Sequence, residues 1–234
     1  MSPLVRIILK IGNLYNRYLC LKEYRAQRYV YFNERPAEYS FLFRHLTSLC
    51  PHSVLDIGTG TTALPHLMSH CGFVVTSIDN VRDFWPRGMF NRHFYVIDDD
   101  ICAPRLRLKF DLITCISVLE HIKDPDSAVT SMFSMLNPDG HVILSFPYSE
   151  TTYVENVYVL DGSSAPKDVS FITQAFSRKE LNRWIAKNDG QIVDQEFWQY
   201  FTGPFWTLGK RLKVPKQVAK DDTHQMSCLL IAKR

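Results

Sequence analysis

Short apolar segments alternate with longer segments of helical periodicity along most of the chain. The apolar segments predict strands near residues 53–57, 73–78, 94–98, 111–116, 141–146, 191–198 and 226–233. Helical spacing predicts helices near residues 62–70, 124–136 and 177–188. Strands that alternate with helices are typical of a mostly parallel sheet with helices on both faces. We therefore expect an α/β protein with seven strands.

The first fifty residues depart from this alternation and predict two helices. In the first helix, apolar residues recur at helical spacing, namely Leu4, Ile7, Ile8, Ile11, Tyr15, Tyr18 and Leu19. Arg6, Lys10 and Arg17 lie between them, so this helix is predicted to be amphipathic. A second helix is expected near residues 37–49. We predict an N-terminal helical cap over residues 1–37 and the main domain over residues 38–234.

The charged residues are unevenly distributed along the 234 residues. Residues 1–50 hold eight Lys and Arg against three Asp and Glu, and residues 203–234 hold seven against two. The centre is acidic, although the net charge of the chain is +3. The basic ends are explained either by solvated faces or by contact with an anionic substrate or a membrane surface. Peripheral membrane contact through the basic N-terminal helix is one such expectation.

Six cysteines are scattered along the chain without a CxxC pair. This spacing favours reduced, mostly buried thiols in a cytoplasmic protein over a disulfide framework or a zinc site. The apolar runs are shorter than a membrane span, and no signal peptide is visible. We therefore expect a cytoplasmic protein without a metal site.

The segment from Val54 to Thr62, VLDIGTGTT, is the most informative part of the sequence. A buried strand runs into a turn at Gly58 and Gly60, and an apolar helical segment follows at once. Such a turn presents backbone N–H groups to a ligand. The carboxylate of Asp56, just before the turn, favours a ligand that carries positive charge.

Two cofactors fit the glycine turn. Residues 58–63 match the dinucleotide pattern GxGxxG/A, and Asp79 follows about twenty residues on, which is compatible with NAD. The charge of Asp56 and the run of three aspartates at 98–100 argue against a pyrophosphate at this edge. A cation that carries a ribose and an adenine would use all of these carboxylates.

Five motifs follow one another along the chain, namely VLDIGTGTT at 54–62, SIDN at 77–80, DDDI at 98–101, FDLITCISVLEHIKDP at 110–125 and LNPDGHVILSFP at 136–147. In this order they resemble the motifs of the class I S-adenosylmethionine-dependent methyltransferases. Thr62 stands where many members carry another glycine. The resemblance covers residues 38–234 and implies a Rossmann-like sheet whose last strand is antiparallel.

The resemblance also implies which residues bind the cofactor. Asp56 and the backbone from Gly58 through Thr59 to Gly60 would hold the methionine part, with Ile116 and Ser117 beside it. Asp79, followed by Asn80, would bind both ribose hydroxyls. Asp100 or Asp99 would accept from the adenine amino group, and the N–H of Ile101 would contact the ring. Asp98 is expected to point away, since successive side chains alternate across a strand.

The resemblance implies methyl transfer to a small-molecule acceptor, which we expect to be a hydroxyl of a sugar, lipid-linked or secondary metabolite. His121 is the candidate general base, because a histidine can take a hydroxyl proton near neutral pH. Tyr148 and Tyr153 are candidate substrate contacts, within predicted substrate-side insertions near 147–176 and 200–225. The alternatives are a nucleic-acid or protein methyltransferase, a non-catalytic cofactor-binding module and an NAD oxidoreductase. We expect no nucleic-acid partner.

Overall fold

A computed structural model describes residues 2–28, 32–85, 88–166 and 168–234, without the side chain of Asp83. The chain divides into two compact units, Met1–Phe32 and Asn33–Arg234. The first contains helix α1 (Pro3–Ala26), which runs through Gly12 without a break. The boundary between the units precedes the predicted end of the cap at residue 37, and the cap role itself stays a prediction.

The second unit is built from eight strands and five α-helices among its described residues. The strands are β1 (Ser53–Ile57), β2 (Val74–Asp79), β3 (Ile97–Asp98), β4 (Phe110–Ile116), β5 (Leu136–Pro147), β6 (Gly190–Phe201), β7 (Arg211–Val218) and β8 (Met226–Lys233). The helices are α2 (Arg35–Leu49), α3 (Leu64–His70), α4 (Val81–Phe84), α5 (Pro125–Ser134) and α6 (Arg178–Lys187). Short 3-10 helices lie at Leu119–His121 and Val157–Val159.

All eight strands join one sheet in the order β3-β2-β1-β4-β5-β8-β6-β7. The five strands from β3 to β5 pair in parallel, whereas β8 is antiparallel to both β5 and β6. The mostly parallel sheet and the antiparallel last strand are therefore confirmed. Because parallel strands end at the same edge, the carboxyl ends of β1, β2 and β4 meet there.

The predicted strand count of seven is wrong, because β7 adds an edge strand to β6. This strand lies within residues 200–225, where the sequence predicted a substrate-side insertion. Its sequence, RLKVPKQV, contains a proline and three basic residues and leaves Val214 61% exposed. Proline and lysine are typical of edge strands, where they limit further pairing. A strand with so little apolar alternation is difficult to recognise from the sequence.

Helices cover both faces of the sheet, as predicted. On one face, Leu46 of α2 and Met68 of α3 pack with Leu112 of β4. On the other face, Met132 of α5 packs with Ile113, the next residue of β4. Neighbouring residues of a strand point to opposite faces, so β4 contributes apolar side chains to both layers. This explains why its sequence is a continuous apolar run.

Local side-chain chemistry defines the starts of three helices. The carboxylate of Asp124 accepts from the N–H of Ser127 at 3.0 Å, and Pro125 begins α5. Ser177 and Glu180 form a reciprocal capping box at the start of α6. Pro65 lies in the first turn of α3, where a missing N–H costs little.

The cysteine thiols are more exposed than predicted. Cys20, Cys50 and Cys71 are exposed, whereas Cys115 and Cys228 are buried, and all six are free. The expectation of mostly buried thiols is therefore wrong, because three of the cysteines lie in α1 or at helix ends. Among the described helices, none has both the length and the apolar content that crossing a membrane requires.

We predict that stability depends on the central strands far more than on the unpredicted edge strand. Leu144 in β5 is fully buried, so Leu144→Ala should lower the free energy of unfolding by about 2–5 kcal/mol. The control Val214→Ala, in β7, should change it by less than about 0.5 kcal/mol. Denaturant unfolding followed by circular dichroism measures both, and equal losses would contradict this account of the sheet.

Candidate functional site

A cavity of about 710 Å³ opens where β1, β2 and β4 end. This is the edge at which open α/β sheets bind ligands. Ten of the predicted site residues line it, namely Gly58, Thr59, Gly60, Asp79, Asn80, Asp99, Asp100, Ile101, Ser117 and His121. The fold therefore brings together residues from four separate motifs.

The glycine turn after β1 forms one wall of the cavity. Gly58 and Gly60 have φ angles of +69° and +54°, which lie in the left-handed region. A Cβ atom on Gly58 would lie 2.4 Å from the side chain of Val118, in the loop after β4. The N–H of Gly58 donates to the carbonyl of Ile78 at 2.9 Å. The turn thus needs glycine for its backbone angles and for its close contact with the next loop.

Asp79, at the end of β2, joins that turn to the second strand. Its Oδ2 accepts from the N–H of Gly60 at 2.7 Å, and its Oδ1 accepts from the indole N–H of Trp85 at 3.1 Å. Burial raises the pKa of this carboxyl above its ordinary value. Because each carboxylate oxygen can accept more than one hydrogen bond, Asp79 keeps capacity for ligand hydroxyls.

Asp56 lies behind the glycine turn rather than in the cavity. Its two oxygens accept from the hydroxyls of Thr59 at 2.6 Å and Thr114 at 2.7 Å. Thr59 is also hydrogen-bonded to Ser77. Burial raises the pKa of Asp56 to about 6. These bonds hold the turn to β4, and a contact of Asp56 with the methionine part stays a prediction.

The three aspartates at the end of β3 face different surroundings. Asp98 points away from the cavity and accepts from the N–H of Val81 at 3.1 Å. Asp99 is buried, but N–H donors from Arg105 and Leu106 outweigh the effect of burial and lower its pKa.

Asp100 also lines the cavity, and its Oδ1 accepts from the N–H of Cys102 at 2.8 Å. Asp99 is bonded by four N–H groups, those of Asp100, Leu106 and two of Arg105. Of the two predicted adenine partners, Asp100 therefore has the greater remaining capacity to accept.

A half-buried ion pair, which the sequence did not predict, lies at the other end of the cavity. Arg35 lines the cavity, and its Nη1 lies 2.9 Å from Oε2 of Glu38, one turn further along α2. Glu38 is buried, and its Oε1 accepts from the hydroxyls of Ser117 and Ser145. Burial raises the pKa of Glu38 above its ordinary value. The pair thus fixes Arg35 next to the predicted methionine-binding residues.

Ile116 ends β4, as predicted, but its side chain does not line the described cavity. Its side chain packs in the core beneath α2 and α3, and its carbonyl lies 3.5 Å from Nη1 of Arg35. The backbone rather than the side chain therefore faces the site, because Ile116 is the last residue of a buried strand. Sequence gave no local signal for Arg35, since 81 residues separate it from Ile116.

His121 ends the 3-10 helix after β4 and lines the cavity. Its Nδ1 lies 2.8 Å from the carbonyl oxygen of Ile172. A carbonyl can only accept, so Nδ1 donates and the neutral ring keeps a lone pair on Nε2. Glu120 lies 3.8 Å from Nε2, beyond hydrogen-bond distance. Burial lowers the pKa of His121, which favours the neutral ring.

Aromatic rings surround His121. The ring of Phe171 meets it edge-on at 4.6 Å, and the ring of Phe84 lies 5.8 Å from that of Phe171. Both phenylalanines line the cavity together with Val118 and Ile122. This part of the cavity is therefore apolar, with the imidazole as its polar group.

The two predicted substrate tyrosines lie elsewhere. Tyr148 is buried against Phe197 and His224, and its hydroxyl donates to Glu150 at 2.8 Å. The hydroxyl of Tyr153 donates to Gln174 at 2.7 Å, and its ring stacks on Phe176. Neither tyrosine lines the described cavity, and Tyr148 is buried whereas Tyr153 is 42% exposed. Their role as substrate contacts stays a prediction.

Comparison with known proteins agrees with this architecture. A family model described as a methyltransferase domain matches residues 23–195. The ubiquinone biosynthesis O-methyltransferase of Haemophilus ducreyi is 30% identical over 123 residues, which cover 47% of this chain and 51% of that protein. The protein of the same name from Actinobacillus pleuropneumoniae is 25% identical over 194 residues, which cover 73% of this chain and 80% of its own.

Solved structures show the same fold at low sequence identity. The 1,6-didemethyltoxoflavin-N1-methyltransferase of Burkholderia thailandensis superposes with a TM-score of 0.55 at 15% identity, over 100% of this chain and 91% of its own. The N-methyltransferase NodS of Bradyrhizobium japonicum superposes with a TM-score of 0.51 at 17% identity, over 86% of this chain and 87% of its own. With the matched family model and the cavity at the glycine turn, the chain belongs to the class I S-adenosylmethionine-dependent methyltransferases.

Proposed function

We propose that this enzyme transfers a methyl group from S-adenosylmethionine to a hydroxyl of a small-molecule acceptor, with His121 as the general base. The observation that carries the proposal is the orientation of His121. Its Nδ1 is bonded to the carbonyl of Ile172, which leaves Nε2 of the neutral ring able to accept a proton, and His121 lines the same cavity as the glycine turn. The name of the sequence relatives, O-methyltransferase, supports an oxygen acceptor.

The residues at the strand ends fit the parts of this cofactor. The left-handed turn at Gly58 and Gly60, together with Ser117, leaves room for the methionine part. Asp79, followed by Asn80, accepts from the ribose hydroxyls. Asp100 accepts from the adenine amino group, beside the N–H of Ile101. A cationic sulfonium is compatible with this acidic edge, whereas the pyrophosphate of NAD would be repelled.

Arg35 supplies a positive charge at this acidic edge. The methionine part of the cofactor ends in a carboxylate, for which a guanidinium is a strong partner. Two cations, Arg35 and Lys123, line the described cavity. Arg35 is bonded next to Ser117, whereas Lys123 is exposed and follows the 3-10 helix of His121. We therefore assign the carboxylate to Arg35.

The protein positions the cofactor and the acceptor, and it provides a group that accepts a proton. When bound, S-adenosylmethionine supplies a methyl group already activated by its sulfonium sulfur. His121 takes the acceptor's hydroxyl proton on Nε2, while the acceptor oxygen bonds to the methyl carbon and sulfur keeps the electron pair of the broken bond. Phe84 and Phe171 exclude water from this proton transfer and contact an apolar or flat face of the acceptor.

The first prediction concerns the ribose site. Asp79→Ala should weaken binding of S-adenosylmethionine by about 1–3 kcal/mol, because bonds to a charged acceptor are lost. Isothermal titration measures the affinity, with the exposed Asp221→Ala as a control that should bind like the wild type. Wild-type affinity of Asp79→Ala would place the ribose elsewhere.

The second prediction concerns the methionine carboxylate. Arg35→Gln should weaken binding of S-adenosylhomocysteine by about 1.5–3 kcal/mol, since a charged hydrogen bond is lost. Its affinity for adenosine, which has no carboxylate, should stay unchanged, and this separates a lost contact from a damaged site. Lys123→Gln removes the other cavity cation and serves as the matched control. An equal loss for both ligands would refute the assignment.

The third prediction concerns the general base. Since burial lowers the pKa of His121, its neutral form should persist below pH 6.5, the ordinary value for histidine. Turnover should therefore fall only at more acidic pH, as the ring becomes protonated. His121→Gln should reduce kcat by about 10²–10⁴-fold, with cofactor affinity unchanged. The fall of turnover at acidic pH should also disappear in this variant. The exposed His70→Gln is the control.

These assays need an acceptor, so formation of S-adenosylhomocysteine should first be followed against panels of hydroxyl and amine compounds. The panels should include phenols, sugars and lipid-linked alcohols. Turnover with hydroxyl acceptors supports the proposal. Turnover confined to amines, or a kcat of His121→Gln equal to that of the wild type, would contradict it.

A further inference from the structure

Helix α1 carries an apolar face that is exposed along most of its length. None of its described residues is buried. At about 100° per residue, seven apolar side chains fall within an arc of about 120°. They are Leu4, Ile7, Ile8, Ile11, Leu14, Tyr15 and Tyr18, each between 55% and 68% exposed. An exposed apolar surface of this kind marks an interaction site.

Basic residues line one flank of this face. Arg6, Lys10 and Arg17 fall within an arc of about 40°, next to the apolar arc. The side opposite the apolar face carries Asn13 and Asn16, with Leu9 between them. The whole helix holds five Lys and Arg residues against one acid, Glu23. The charge of the helix is therefore complementary to an anionic surface.

We propose that α1 binds the surface of a bilayer that contains anionic phospholipids. Its apolar face would lie among the upper acyl chains, and the flanking cations would contact phosphate groups. The long stems of arginine and lysine allow this placement beside an apolar face, and tyrosines favour the interface. The helix would lie along the membrane, since no described helix is suited to cross one.

A second copy of the chain is the competing occupant of this face. Leu4, Ile7, Ile11, Leu14 and Tyr18 follow the alternating spacing of three and four residues found in a coiled coil. Coiled-coil pairs are selected by opposite charges on the two flanks of that seam.

In α1 one flank carries Lys10 and Arg17, and the other carries Ile8 and Tyr15. Two such helices would bring no acid to these cations, and the apolar residues of the second flank would stay exposed. A bilayer satisfies both flanks, because it offers phosphate groups and acyl chains together.

Flotation of the full chain with vesicles tests the proposal. Vesicles of phosphatidylcholine should bind weakly, and vesicles with about 30% phosphatidylglycerol should bind strongly and in a salt-dependent manner. Replacing Arg6, Lys10 or Arg17 by glutamine should weaken binding by roughly fivefold for each lost cation.

Two substitutions that add the same charge separate the faces of α1. Ile11→Glu places a carboxylate at the centre of the apolar face and should weaken vesicle binding at least about tenfold. Asn16→Glu places it on the side opposite the apolar face and should change binding by less than about threefold. Affinity for S-adenosylhomocysteine should be unchanged in both variants, which verifies that the second unit is folded.

Three results would overturn the proposal. The first is equal binding to neutral and anionic vesicles, and the second is equal binding by Ile11→Glu and the wild type. The third is a dimer in lipid-free light scattering that Ile11→Glu converts to a monomer, which would assign the face to a second copy.

Discussion

The hydrogen bond from the N–H of Gly60 to the carboxylate of Asp79, 2.7 Å long, joins the first two strands at the edge where the cavity opens. It requires the left-handed backbone of the glycine turn and a carboxylate at the end of β2. The same turn packs against Val118, so a side chain on Gly58 would displace the loop that carries His121. Cofactor site and candidate base are therefore positioned by one local arrangement.

Buried carboxylates organise the rest of the site, and each is surrounded differently. Asp56 is bonded by two threonine hydroxyls and lies behind the turn. Glu38 joins α2 to Ser117 and Ser145 and holds Arg35 at the cavity. Some carboxylates at this edge therefore bond only to the protein. Others, such as Asp79 and Asp100, can still accept hydrogen bonds from a ligand.

The sequence predicts features that depend on local pattern and on motif order. Strands β1, β2, β4 and β5, the starts of α3 and α5, and the glycine turn have such local signals. Strand β7 was missed because an edge strand with Pro215 lacks apolar alternation. Arg35 was missed because its partner Ile116 is distant in sequence. The burial of Tyr148 outside the cavity could not be foreseen, because buried and ligand-facing aromatics have the same local pattern.

The central claim is that the cavity binds S-adenosylmethionine rather than a dinucleotide. Calorimetric titration of the full chain with S-adenosylhomocysteine and with NAD, under identical conditions, tests it most directly. We predict saturable binding of S-adenosylhomocysteine at one site and no saturable binding of NAD. Saturable binding of NAD without binding of S-adenosylhomocysteine would contradict the account.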